Sequence, residues 1–435
     1  MRKTRSLAAL AAGVLTALTM SACSPAADEA GDEAGGSGDT LTVWAMNGDL
    51  SPATLDAINA QFEEETGAKV DLQMQPWDDI ITKVTTALAT SSAPDVLDLG
   101  NTHVPIYAAN GGLLDLTDHK EDLKQGQTWL SGLEEPATQD GKLYAVPSFA
   151  GDRAVIYNKT MWAQAGVTEV PTTYEELTAA LDKVKAANSQ ADFSAFYYPG
   201  KYAFGPLGFV WDAGGDIATV KGGTWTGGLS SDESQTGLEQ FAEFQNTYSV
   251  ASSQGVNEAD PQQAQVLADG RASAILGISS EVDAIKKANP ALTDDDLGTF
   301  PFPGVSGKNQ PVMLGGSVWG VAAKTEQSDL AVKWITIAAS PEIQSKYVFG
   351  TDKWIPNSTE AIDAARASDD MPRLTAAFFE AALISNATPA AADWPTIEND
   401  KSLADFFSTI ASGSKTPQQA ATEFDAHLDS VLNGK

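Results

Sequence analysis

LTVWAMNGDLSPATLDAINAQFEEETGAKVDLQM, residues 41–74, decides the fold class. LTVWAM is a short apolar run of β-forming residues. Ser51-Pro52 then opens a helical pattern with Leu55, Ile58 and Phe62 on one face, and Thr66-Gly67 ends it before KVDLQM resumes as a strand. The alternation continues, with Ile80, Ile81, Val84 and Leu88 at helical spacing within Trp77–Thr90 and Asp95–Leu99 as a third strand. Strands alternating with helices predict a parallel sheet covered on both faces.

Further along, Tyr174–Ala187, Glu233–Tyr248, Asp329–Ala339 and Leu403–Ser412 carry the i, i+3/i+4 apolar spacing of helices. Short apolar runs persist between them at AILGI (Ala274–Ile278) and SVWGVAA (Ser317–Ala323), so the chain is α/β throughout. Glycine pairs, among them Gly315-Gly316, mark tight turns or close backbone approach. With 435 residues the chain has room for two or three domains.

Before residue 41 the texture differs. Arg2, Lys3 and Arg5 precede an apolar run from Leu7, and Ser21-Ala22 leads into Cys23, the single cysteine of the chain. This resembles a bacterial lipoprotein signal, residues 1–22, with Met20 where such signals usually carry leucine. It implies cleavage before Cys23, lipidation of its thiol, and an extracytoplasmic protein held on the cell membrane by that anchor alone. A membrane-spanning helix is not expected, because about 20 consecutive apolar residues are needed. Residues 23–40, rich in Asp, Glu, Gly and Ala, read as a flexible acidic tether that cannot bury a core.

A lone cysteine excludes an intramolecular disulfide, so the fold rests on its own core. The net charge is −31, from 58 Asp and Glu against 27 Lys and Arg. That balance argues against nucleic acid and suits a neutral or cationic ligand better than an anionic one. The three histidines have no G-x-S-x-G elbow beside them, and phosphate cradles and H-E-x-x-H are absent. No cofactor or metal is therefore expected. Paired carboxylates for glycosidic cleavage depend on spacing in space, which leaves a glycosidase as the enzymatic alternative.

The segments FEEETGAKVDL, WDDIITKVTTALATSSAPDV, YAANGGLLDLT, DGKLYAVP, AVIYNKTMWAQAGV, PTTYEEL, GGSVWGVAAKTEQSDLAVKWI and ASPE follow in that order from residue 62 to residue 342. In order and spacing they resemble the extracellular solute-binding proteins of ATP-driven importers, of the maltose-binding type. The resemblance implies a two-lobed fold of the periplasmic-binding-protein kind, each lobe a sheet flanked by helices, with residues 41–149 plus 313–357 in one lobe and 150–312 plus 358–435 in the other. It also implies a hinge, a carbohydrate ligand in the cleft, an ABC permease as partner, a monomer, and no catalysis. Receptors of the same fold for a polyamine or glycerol phosphate are the alternatives.

A sugar pocket should combine flat rings with polar side chains. Ten tryptophans are available. Trp77 opens a helix beside two carboxylates, Trp211 precedes Asp212 and a glycine pair, Trp319 follows GGSV, and Trp394 lies between Asp393 and Pro395; each could face the cleft or the core. Trp162 and Trp334 lie on apolar helix faces and read as core. The resemblance adds Asp49 with Asn47 after the first strand, Asn101 after the third, Asp152 and Arg153 at the crossover, Tyr202, Gly316, and Ser280 with Glu281 after AILGI. At this last position many relatives have G-P-W; that tryptophan is missing here, which argues against maltose itself. Trp394 occupies the place of a late stacking ring.

Overall fold

The computed structural model describes residues 39–91 and 93–434. The signal, Cys23 and the tether up to residue 38 lie outside the described residues. The first strand begins at Thr40, the last residue assigned to the tether.

Local chemistry sets the elements. The Pro52–Thr66 helix starts on Ser51, whose side chain accepts the Thr54 N–H; it carries proline in its first turn and stops at Gly67, φ 75°. Leu55, Ile58 and Phe62 form its buried face. Tyr174–Ala187 opens with a reciprocal capping box between Thr173 and Glu176, and Pro417–Leu432 with one between Thr416 and Gln419. The Trp77 segment departs from expectation: its helix is Ile80–Ala89, because Asp79 takes a left-handed conformation and leaves Trp77 outside.

The larger sheet has six strands in the order Ile355–Pro356, Ala145–Gly151, Gly315–Val321, Val96–Gly100, Thr40–Met46, Lys69–Gln75. Thr40–Met46 runs parallel to both of its neighbours, as expected. Gly315–Val321 is antiparallel to both of its own, so the sheet is mixed. A second, three-stranded sheet has Ala154–Asn158 in the middle, antiparallel to Ala274–Gly277 and Leu297–Phe300. The parallel sheet expected from the first three strands is present, and the later strands depart from it for a physical reason. Alternation of strands and helices identifies the elements, but it does not set the end from which a returning segment enters a sheet.

Each sheet has its own core. Val43, Leu97, Val318, Trp319 and Trp334 pack with Ile58 and Phe62 against the larger sheet. Trp162, Leu181, Phe241, Trp394, Phe407 and Leu428 belong to the second core. A third cluster, with Ala150, Ala154, Leu314, Ile355 and Phe379, seals the places where the chain passes between the sheets. Among the described residues no helix is long and apolar enough to cross a membrane.

Gly316 is where the returning strand is squeezed in. Its φ is 148°, and a Cβ there would lie 2.1 Å from the Phe149 carbonyl oxygen. Gly316→Ala should therefore lower stability by about 2 kcal/mol or more, read as a lower urea midpoint; an unchanged midpoint would show that the two strands can part.

Candidate functional site

The turn after Thr40–Met46 places Asp49 beyond the carboxyl ends of the parallel strands, where open α/β sheets bind ligands. The Asn47 N–H donates to Gln75 O at 2.8 Å and holds that turn. Asp49 Oδ1 accepts the Trp77 Nε1–H at 3.1 Å, and Oδ2 accepts the Ser317 hydroxyl at 2.5 Å. The Trp354 Nε1–H donates to the Asp49 backbone oxygen at 3.0 Å. Burial pushes the Asp49 carboxyl above the usual carboxylate range, against those donors. The Trp354 ring stacks on Phe149 with centroids 4.7 Å apart, and its edge would be 3.6 Å from a Cβ at Gly151. Trp77 keeps 37% of its surface exposed.

Two residues past Gly151 a second polar cluster begins. The Arg153 Nε–H donates to the Tyr202 hydroxyl at 2.7 Å, with the guanidinium 5.2 Å from the Tyr202 ring centroid and 5.7 Å from that of Phe204. Tyr202 in turn donates to Leu276 O at 3.1 Å. Gln263 Nε2 donates to that same oxygen at 2.9 Å and to Glu281 Oε2 at 2.8 Å, and the Ile278 N–H also reaches Oε2. Burial nevertheless pushes the Glu281 carboxyl up to about 7. Asp152 is 3% exposed, neither of its carboxyl oxygens has a partner, and burial holds it well above the carboxylate range.

Two cavities meet at Trp354, and the Arg153 cluster lines neither of them. One, about 610 Å³, is lined by Asn47, Asp49, Leu72, Met74, Asp352 and Trp354 among others; the other, about 440 Å³, by Ser280, Lys286, Arg373, Asp352 and Trp354 among others. Asp352 and Trp354 line both, so one cleft runs from Asp49 to Ser280. Its walls offer the Trp354 ring, the carboxylates of Asp49 and Asp352, and the donors Ser280, Lys286 and Arg373, a set matched to a ligand carrying hydroxyls on apolar faces.

Asn47, Asp49 and Trp77 thus gather on one wall, and Asp152, Arg153, Tyr202 and Glu281 cluster where the chain crosses to the second sheet, with Ser280 in the adjoining cavity. The other expected residues go elsewhere. Trp319 is fully buried, edge-on to Trp334 at 4.7 Å, because it lies two residues deeper in the strand than Ser317, which sits at the strand's open end and reaches Asp49. Trp394 is also fully buried; its Nε1–H donates to Glu398 at 2.8 Å, so its ring is core rather than a stacking platform. Trp211 packs in the same core. Asn101 spends its amide donors on Gly132 O and Leu314 O, which clips the third strand to the returning one. Gly316 admits a neighbouring backbone. Trp354, Ser317 and Asp352 were missed. Trp354 sits in DKWIP between a left-handed Lys353 and a two-residue strand, a context without periodicity to flag it.

The family model for bacterial extracellular solute-binding proteins matches residues 57–378. The diacetylchitobiose-binding protein DasA of Streptomyces coelicolor is 34% identical over 422 residues, 95% of this chain and 96% of that one. The maltodextrin-binding protein MdxE of Bacillus subtilis is 25% identical over 380 residues, 85% of each. The solved sugar-binding protein MalE from Xanthomonas citri superposes with a TM-score of 0.78 at 21% identity, covering 91% of this chain and 98% of that one. That likeness shows the fold: two α/β lobes.

The Glu281 shift has a definite sign. Its protonated form is favoured by the fold, so its contribution to stability is complete below the ordinary value of 4.5 and is lost as pH rises through about 7. Glu281→Gln, which mimics the neutral acid, should be progressively more stable than the native protein across that window in urea unfolding. Parallel pH profiles for the two proteins would contradict this.

Proposed function

The chain belongs to the bacterial extracellular solute-binding protein family, and from that premise we propose that it is the carbohydrate receptor of an ATP-driven importer, taking a di- or oligosaccharide in the cleft and presenting it to the permease. The observation that carries this reading is the cavity wall formed by Asn47, Asp49 and Trp354, with Asp49 held between two indole N–H groups and a hydroxyl. Rings supply flat contact for sugar C–H faces, and the polar groups supply direction. The relative at 34% identity is named for diacetylchitobiose, which makes that disaccharide the first ligand to try.

The same proposal divides the body into lobes of residues 41–149 plus 313–357 and 150–312 plus 358–435, with the hinge at the crossings. The division is supported by strand membership, since Gly151 ends a strand of the larger sheet and Ala154 begins one of the smaller. Lipidation of Cys23 and anchoring at the cell membrane complete it, resting on the N-terminal signal.

Isothermal titration with diacetylchitobiose should give a saturable one-to-one isotherm, and incubation should leave the disaccharide uncleaved. Asp49→Asn at unchanged urea midpoint, and Trp354→Ala with some loss of stability, should each weaken binding by about 1.4–2.7 kcal/mol, roughly 10- to 100-fold. Undiminished affinity in both variants would move the ligand out of this cleft. In a bacterial host, Cys23→Ser should abolish labelling with radioactive fatty acid and release the protein into the medium; retained label would overturn the anchor.

A further inference from the structure

Asp98 lies in the Val96–Gly100 strand, between Thr40–Met46 and Gly315–Val321, and is 1% exposed. Its Oδ2 accepts the Met46 N–H at 3.2 Å, while Oδ1 has no donor to accept from. From the end of the first strand the Asp49 carboxyl faces it, and from the returning strand the Ser317 hydroxyl; no cation is among the groups that act on it. Two adjacent carboxylates in a dry site cannot both stay ionised. Asp49 has two neutral donors and contact with the cleft, so the charge is better accommodated there. Asp98 is deeper and has one amide donor. A proton on Asp98 turns its carboxyl from a second acceptor into a donor for the adjacent Asp49 carboxyl.

We propose that Asp98 is a positioning residue for ligand capture: it keeps its proton, donates it to the Asp49 carboxylate, and with Trp77 and Ser317 fixes that acceptor facing the cleft. Burial and the neighbouring Asp49 charge hold Asp98 well above the carboxylate range, in agreement with this geometry. The site then carries one negative charge instead of two, and Asp49 is oriented by three donors before any ligand arrives. Because the orientation is set in advance, little ordering cost falls on binding. The inference rests on Asp49 being a ligand contact, as proposed above.

Infrared spectroscopy of the purified, unliganded protein labelled with 13C-aspartate tests the proton directly. Asp98→Asn should remove one component of the protonated-carboxyl band that Asp152→Asn leaves in place. Titration with diacetylchitobiose tests the positioning. Asp98→Leu, which removes the donor, should weaken binding about 10-fold or more, and Asp98→Asn, which restores an N–H donor of the same shape, should recover most of that loss. A protonated-carboxyl band unchanged in Asp98→Asn, or native affinity in a folded Asp98→Leu protein, would overturn the proposal. Should diacetylchitobiose bind neither native protein nor variants, the carbohydrate reading fails while the infrared component still decides where the proton sits.

Discussion

The Gly315–Val321 strand comes back to the larger sheet after the chain has built the second one, and it enters between two strands already laid down, antiparallel to both. Such an insertion is possible only if the backbones come close at Gly316, where any Cβ would strike the Phe149 carbonyl. The closeness has consequences at two depths along the strand. Ser317 reaches Asp49 across the cleft end, and Trp319 fills the space against Trp334 in the core. The residue just before the strand, Leu314, accepts from Asn101 and sits in the apolar cluster that seals the crossings. One steric constraint thus couples the core of the larger sheet, the acceptor in the cleft and the passage between sheets.

The electrostatics around the cleft follow from a different tension. In a chain of net charge −31, several carboxyls are buried where water cannot solvate them: Asp49, Asp98, Asp152, Glu281 and Glu398 are all raised by burial. Desolvating a charge is costly unless donors surround it. Asp49 and Glu281 have donors, whereas Asp152 has none, so it is the group with most to gain from a donor supplied from outside. Glu398 shows the structural use of the same chemistry. It accepts from Trp394 and from Thr102 and ties the helix carrying Trp394 to the end of the third strand.

What the sequence made legible is what local chemistry decides. The Tyr174–Ala187 helix matches its expected bounds because its capping box and apolar spacing lie within fourteen neighbouring residues. Asp49 came from the family resemblance rather than from periodicity, and the structure places it in the turn after the first strand, at a cavity wall. Trp319 and Trp394 were not legible, because their flanks look alike whether a ring faces a cleft or a core; the choice depends on packing against segments far away in the chain, the Trp334 helix in one case and the second core in the other. The antiparallel return of the Gly315–Val321 strand was hidden for a similar reason. Its partners come from residues 96–100 and 145–151, far away in the chain.

The two walls of the cleft are chemically unequal, and that inequality argues for a ligand that touches both. Around Asp49 the side chains offer the carboxylates of Asp49 and Asp352 and the Trp354 ring. On the far side of Trp354 they offer the Ser280 hydroxyl and the cations Lys286 and Arg373. A hydroxyl does both at once, so a polyhydroxylated ligand satisfies each wall with the same functional group, while a cation would satisfy only the first and an anion only the second. A ligand held by a single wall leaves the other dependent on water. The free energy gained by contacting both at once is therefore available only when the walls stand close together, and it is this difference in affinity that lets a ligand favour one arrangement of the walls over another.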